Sequence, residues 1–211
     1  MQATAIESLP EHLNGSPRIR MRDPLAGFLG SAEGGVLDYG FDDAVRLAGH
    51  ACPTVVAAWL MTRAALAALY PGVLAERGAV AVALRDPAEA GVAGVIARVA
   101  CLVTGAAGDE GFKGIAGRFV RRGLLQFGAD IEGELRFTRL DNGHAVDVSA
   151  RLDLVPADPD LRRHLGQALG DPGDAQAQAD FGAAWQDRVR RLLDRADDPE
   201  LIVVRTTTPA R

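Results

Sequence analysis

The sequence is poor in cysteine, since only Cys52 and Cys101 occur among its 211 residues. Two thiols cannot form the disulfide framework of a small secreted protein, and they cannot hold an iron–sulfur cluster that needs four thiolates. Residues 1–13 also lack the basic segment and apolar block of a signal peptide. We therefore expect reduced thiols and a cytoplasmic location.

An excess of positive charge is also missing, because the formal net charge is −5. This balance argues against a nucleic-acid groove or an anionic membrane surface as the main partner. The most apolar run, residues 53–69, contains Arg63 and falls short of a membrane span. It predicts a core helix, and we expect neither nucleic acid nor membrane among the partners.

Hydrophobic residues make up 48% of the chain, which is enough for one good core. The pattern predicts apolar helices over residues 53–70 and 86–103, and an amphipathic helix over residues 175–194. These helices supply one apolar layer.

The segments predicted as strands are shorter than the predicted helices. A buried strand is predicted over residues 79–84, a further strand over 119–127 and a terminal edge strand over 201–204. The clearest signal is a β-hairpin over residues 132–155, whose turn at 141–143 has the sequence Asp-Asn-Gly.

Together these elements predict a single α+β domain, with central apolar helices packed on a mostly antiparallel sheet. We place an N-terminal arm at residues 1–36, the domain at 37–206 and a tail at 207–211.

A histidine and a cysteine lie two positions apart at the N-terminus of the longest predicted apolar helix. Gly49 allows the chain to turn sharply into the pair, and Pro53 suits the first helical position, which places Cys52 at the helix N-cap. In an extended segment, His50 and Cys52 would face the same side. The positive end of the helix would stabilise a thiolate at Cys52.

Two kinds of chemistry fit this pair. An imidazole and a thiolate that converge make half of a zinc site, or most of a thiol–imidazole nucleophile. A cysteine that opens an apolar helix can also be an inert packing residue. The residues alone leave these alternatives open. Cys101, surrounded by apolar residues at a helix end, is interpreted as an inert core thiol.

A glycine recurs at every third position from Gly105 to Gly117. The run is too short for collagen and matches neither a phosphate loop nor the Rossmann spacing. It predicts a loop whose backbone approaches something closely, and Asp109, Glu110 and Lys113 are its candidates to reach a site. The arginines that follow, at 118, 121 and 122, form a basic face that could meet an anion or water, and we expect it to face water.

The order of motifs over residues 40–155 resembles the FmdE family, which takes its name from a component of formylmethanofuran dehydrogenase. The most specific element is Gly-His-x-Cys-Pro at residues 49–53. The collinear matches that accompany it are individually weak, namely residues 41–45, 102–105, 113–114, 136–138 and 143–146.

The resemblance implies an α+β core in which His50 and Cys52 bind a metal, commonly zinc, in an active site. Ala106 stands where the family usually has a cysteine, so one thiol ligand is missing. No cysteine follows Cys101, so the C-terminal zinc-ribbon-like domain of many members is also missing. Oxidation of formylmethanofuran is therefore out of reach for this polypeptide alone.

We expect zinc, or another divalent metal, on His50 and Cys52, with Asp109 and Glu110 as candidate further ligands or bases and Lys113 orienting an anion. A small-molecule substrate or a component of an oxidoreductase is the expected partner, and edge strands favour a homodimer. An accessory role beside a molybdenum or tungsten oxidoreductase fits the resemblance. The alternatives are a metal-free Cys/His thiol enzyme and a non-enzymatic small-ligand-binding subunit, so catalysis itself stays an open question.

Overall fold

Two sheets and a layer of helices make up the part of the chain that the computed structural model describes, residues 9–10, 13 and 16–207. The α-helices are α1 Pro24–Phe28, α2 Phe41–Ala48, α3 Pro53–Leu69, α4 Ala93–Thr104, α5 Leu161–Gly170 and α6 Ala175–Leu193. The strands are β1 Ile19–Arg22, β2 Val36–Tyr39, β3 Ala75–Glu76, β4 Val80–Leu84, β5 Leu125–Gln126, β6 Leu135–Arg139, β7 Ala145–Ala150 and β8 Ile202–Thr207.

The larger sheet has the strand order β5-β4-β6-β7-β8. Its pairs are antiparallel except for β5, which runs parallel to β4. Side chains alternate between its faces, so Val80, Val82 and Leu84 are buried whereas Ala81 and Ala83 are only half-buried. One face of this sheet therefore carries the helices.

Helix α3 lies at the centre of the core. Its residues are apolar on nearly every side, so it packs at once on α2, α4, α6 and the strands β6, β7 and β8. Trp59 is fully buried and packs edge-on against Phe41 at 6.2 Å between ring centroids. Within the described residues, no helix combines the length and apolar character needed to cross a bilayer.

The predicted hairpin is confirmed as β6 and β7. Gly143 takes the left-handed conformation at its turn (φ 72°), and its N–H donates to the carbonyl of Arg139. Strand β8 pairs with β7 and forms one edge of the sheet, as expected for the last strand. The structure thus confirms a single α+β domain with helices packed on an antiparallel-rich sheet.

For one helix and one strand, the predicted boundaries differ from those in the structure. The helix expected from residue 86 begins at Ala93, because turns fill the preceding residues and Gly91 takes a left-handed φ of 48°. The strand expected over residues 119–127 is reduced to Leu125–Gln126. The rest of that segment folds back on the glycine-rich loop, where Ala107 accepts N–H groups from Leu124 and Leu125.

A second, three-stranded sheet begins inside the stretch assigned to the arm. Strand β1 pairs antiparallel with β2 and parallel with β3. Met21 in β1 is fully buried, so residues 19–22 belong to the fold although the predicted boundary stood at residue 37. Most of residues 1–15, and residues 208–211, lie outside the described part of the chain.

Candidate functional site

The His-x-Cys segment joins two helices. Helix α2 ends at Ala48 and is capped by Gly49, which has a left-handed φ of 77° and donates its N–H to the carbonyl of Val45. Cys52 then stands at the N-cap of α3 in an extended conformation (φ −147°, ψ 165°), with Pro53 at the start of the helix. The expected turn at Gly49 and the expected N-cap position of Cys52 are present.

The His50 ring lies at the surface, and Nδ1 is 3.0 Å from the carbonyl oxygen of Ala48. A carbonyl oxygen only accepts hydrogen bonds, so Nδ1 carries the proton of the neutral ring. Nε2 is then left with a free lone pair, which can bind a metal or accept a proton.

Cys52 is buried, with 8% of its surface exposed, and belongs to the hydrophobic core. His50 is exposed, so the two side chains differ in their access to solvent although only Ala51 separates them.

Helix α6 donates two hydrogen bonds to Ala51, the middle residue of the His-x-Cys motif. The carbonyl of Ala51 accepts hydrogen bonds from Trp185 Nε1 at 3.1 Å and from Gln186 Nε2 at 3.2 Å. Gln186 Oε1 is buried and has no hydrogen-bond partner among the described residues. A free acceptor thus stands beside the motif. The amphipathic pattern predicted α6 as a core helix but carried no signal for these two contacts.

An apolar groove opens beside the histidine. Its volume is about 350 Å³, and its lining residues are Leu47, Ala48, His50, Val95, Arg98 and Val99. Pockets that bind small ligands are mostly apolar with a few polar groups. The groove can therefore take a small, largely apolar molecule against the imidazole.

The structure does not bring the other candidate residues to this pair. Asp109, Glu110 and Lys113 are exposed on the glycine-rich loop. In the described part of the chain, no group of three or more His, Cys, Asp or Glu side chains is placed to hold a metal ion. The roles of these three residues stay predictions.

Two glycines of the loop, Gly111 and Gly114, let its two arms approach each other. A Cβ at Gly111 would lie 2.7 Å from the Cα of Arg122, and a Cβ at Gly114 would collide with the carbonyl of Arg118. The close approach predicted from the glycine spacing is therefore an approach of the loop to itself.

The donor types at the motif fit zinc, but their number does not complete a site. Imidazole nitrogen and thiolate sulfur are common zinc ligands, and a tetrahedral shell needs four donors. Ala106 is buried and contributes no donor. Two protein donors alone leave the shell open.

Cys101 lies half-buried in the last turn of α4. Burial raises the pKa of its thiol to about 11, and the charge of Glu110 adds to the increase whereas Arg98 and Arg77 oppose it. This thiol is protonated at neutral pH, which supports its interpretation as an inert residue.

A buried charge cluster lies elsewhere in the molecule. Asp23 caps α1 by accepting the N–H groups of Leu25 and Ala26 at 2.8 and 3.2 Å. It also accepts hydrogen bonds from Arg77 Nη1 at 3.0 Å and from Arg121 Nη2 at 2.7 Å. Burial by itself would raise the pKa of Asp23, but the Ala26 amide and the two arginines outweigh it and hold the pKa below its usual value.

The burial of Arg121 corrects the expectation that this arginine faces water, because it is only 6% exposed. The Asp-Pro dipeptide at residues 23–24 is typical of a helix start, and Asp23 is the N-cap of α1. Nothing in the local sequence marks Arg121 as the partner of Asp23.

No protein-family model matches this chain, and no curated protein matches it either.

Proposed function

We propose that this protein binds a divalent metal ion, zinc in the first instance, through Nε2 of His50 and Sγ of Cys52, in the manner expected of an FmdE-like protein. The observation that carries the proposal is the hydrogen bond between His50 Nδ1 and the carbonyl of Ala48, which leaves Nε2 free. Metal-binding histidines almost always donate their other ring N–H in this way.

Water, a third protein group or a second copy of the chain completes the proposed shell. Gln186 Oε1 is a buried acceptor on a side chain bound to Ala51, between the two proposed ligands. Asp109 and Glu110 remain candidate ligands or bases, and Lys113 a candidate to orient an anion, if the loop moves toward the pair. A bound metal would polarise a ligand or activate water in such an open site.

The groove beside His50 supports a small-molecule ligand, because its walls are mostly aliphatic. We further propose a homodimer, which the edge position of β8 favours. A component of an oxidoreductase is the proposed alternative partner, in an accessory role inside the cytoplasm.

Metal-free thiol chemistry is the second candidate. In this case the positive end of α3 and the imidazole of His50 activate the Cys52 thiolate as a nucleophile or redox centre. The specific observation in its favour is that the described residues offer no third His, Cys, Asp or Glu side chain beside the pair.

The deciding experiment is elemental analysis of the untagged protein beside four variants. We expect about one metal ion per chain or per dimer in the wild type, and its loss in both Cys52→Ser and His50→Ala. Cys101→Ser and His144→Ala are the matched controls, because each removes the same kind of side chain away from the motif. They should keep the metal.

Two results would contradict metal binding at the motif. One is a metal-free wild type, and the other is an equal metal content in all four variants. Fast alkylation of Cys52 in a metal-free wild type would favour the thiol candidate instead.

A further inference from the structure

The groove beside His50 is walled by aliphatic side chains from two helices. Leu47 and Ala48 come from the last turn of α2. Val95 and Val99 lie one turn apart on α4. The volume of about 350 Å³ is near the lower end of the range for small-ligand pockets, roughly 300–1,000 Å³. A groove of this size and lining suits one short aliphatic chain.

Two of the wall residues leave much apolar surface in contact with water. Leu47 is 47% exposed and Val95 is 36% exposed. Single exposed aliphatic residues are ordinary, but neighbouring ones that line a concave surface are typical of a binding site. An aliphatic chain in the groove would cover part of both side chains, and the apolar area removed from water would contribute to its affinity.

Arg98 adds a positive charge to this aliphatic wall. It lies three positions after Val95 on α4, and residues at this spacing share one face of a helix. Its side chain is exposed and forms no ion pair and no hydrogen bond with the other described residues. The guanidinium is therefore available to a ligand that lies along Val95.

Acidic side chains nearby do not pair with Arg98. Asp42 and Asp43, at the start of α2, both form ion pairs with Arg46 of the same helix. Glu110 and Arg98 both lie near Cys101, but they form no ion pair with each other. One positive charge beside the groove thus has no bound counter-charge in the described part of the chain.

The charge count at the groove selects the head group of the ligand. A carboxylate carries one negative charge at neutral pH, and its two oxygens match the planar guanidinium in a bidentate pair. A phosphate ester carries about two negative charges, and one of them would have no partner on this wall. A neutral head group would cover Arg98 without balancing its charge. A single carboxylate fits best.

We propose that the groove binds an aliphatic monocarboxylate, with its carboxylate on Arg98 and its chain against Leu47, Val95 and Val99. The proposal rests on the proposed function in one respect, namely that the groove at His50 is the ligand site, and it does not require a bound metal. Because His50 lines the same groove, the bound chain lies beside the imidazole. The substrate class of the site is then a small aliphatic acid.

Isothermal titration calorimetry with butanoate, hexanoate and hexanol tests the proposal, at constant ionic strength. Each fully buried CH₂ group strengthens binding about fourfold, so hexanoate should bind up to about fifteenfold tighter than butanoate. Hexanol has the same chain without the charge and should bind roughly fivefold more weakly than hexanoate. The proposal is overturned if hexanoate shows no saturable binding, if chain length has no effect, or if hexanol binds as tightly as hexanoate.

Two pairs of variants assign the binding to the groove. Arg98→Gln should reduce the affinity for hexanoate to that for hexanol, whereas Arg122→Gln removes an exposed arginine outside the groove and should bind as the wild type does. Val95→Thr keeps the shape of the side chain but adds a hydroxyl, and it should weaken hexanoate binding about threefold. Val73→Thr is its control, because Val73 is exposed away from the groove. Equal effects within either pair would contradict the proposal.

The same titration in Cys52→Ser separates this proposal from metal binding. This variant lacks a proposed metal ligand but keeps every residue that lines the groove. Hexanoate should bind to it as to the wild type, whatever the metal content of the wild type proves to be. If Cys52→Ser loses hexanoate binding while Arg98→Gln keeps it, the carboxylate binds a metal at the motif and the assignment to Arg98 is wrong.

Discussion

The carboxylate of Asp23 accepts a hydrogen bond from the guanidinium of Arg121, which lies 98 positions later in the chain, at 2.7 Å. Both side chains are almost fully buried, at 5% and 7% exposed. Arg77 joins them and also donates to the carbonyls of Leu102 and Val103 at the end of α4. One carboxylate thus ties the start of α1 to the segment that follows the glycine-rich loop and, through Arg77, to the end of α4.

Replacing Asp23 with Asn should lower the free energy of unfolding by about 3 kcal/mol, because a buried guanidinium loses its counter-charge. Asn still caps a helix well, so the substitution isolates the charge from the cap. Urea unfolding measures the change. The control is Asp38→Asn, which removes a carboxylate from the exposed pair with Arg18 and should cost no more than about 0.5 kcal/mol.

Stability should fall in acid partly through Asp147, which is buried between β6 and the loop before it. Its carboxylate accepts hydrogen bonds from Arg136 at 2.6 and 3.0 Å and from the amides of Glu132 and Gly133. Burial by itself would raise the pKa of Asp147, but Arg136 and the Gly133 amide outweigh it, so the pKa lies below its ordinary value of 3.8.

A group with a lowered pKa stabilises the folded state above its unfolded pKa, and this contribution disappears as the pH falls through the folded pKa. The stability difference between the wild type and Asp147→Asn should therefore be largest at neutral pH and shrink below about pH 4. Urea unfolding at a series of pH values measures it. A difference that stays constant down to about pH 2 would contradict this assignment.

Cys101 should react slowly with iodoacetamide. With a pKa of about 11, almost none of its thiol is ionised at neutral pH. In Cys52→Ser, where Cys101 is the remaining cysteine, the alkylation rate should rise about tenfold for each pH unit up to about pH 10. Mass spectrometry follows the reaction. A rate that levels off near pH 8 would mean that the thiol is less buried than the structure places it.

Buried residues of β1 should contribute as much to the free energy of unfolding as core residues elsewhere. Met21→Ala should lower the free energy of unfolding by about 2–5 kcal/mol, because it leaves a cavity at a fully buried position. Arg20→Ala in the same strand removes an exposed side chain and should change it by about 0.5 kcal/mol or less. Equal effects of the two substitutions would place this strand outside the cooperative core.

Local signals were sufficient for much of the fold. Asn142 and Gly143 were enough to predict the hairpin turn, and the run of apolar residues after Pro53 was enough to predict the central helix. Both features depend on residues that are close together in the sequence. Gly49 and Pro53 likewise placed Cys52 at the helix start. The start of α4 at Ala93 was predicted too early, since Asp-Pro at residues 86–87 begins a turn here and no helix follows it directly.

Other features depend on contacts that a single sequence does not carry. The burial of Arg121 follows from Asp23 far along the chain, and Gly111 and Gly114 face the second arm of their own loop. At the candidate site, the residue types of His50 and Cys52 were evident, whereas the contacts of Trp185 and Gln186 with Ala51 were not. The sequence pattern placed Trp185 only within an amphipathic helix.

The two hydrogen bonds that reach Ala51 make the spacing of His50 and Cys52 a property of the whole chain. Their donors lie 134 and 135 positions beyond the acceptor, on a helix that is itself packed against α3. A short peptide with the same motif would keep His50 and Cys52 but lose these two hydrogen bonds. A fragment that ends before α6 would therefore present an imidazole and a thiol with no fixed mutual position, and whatever displaces α6 would also reset that position.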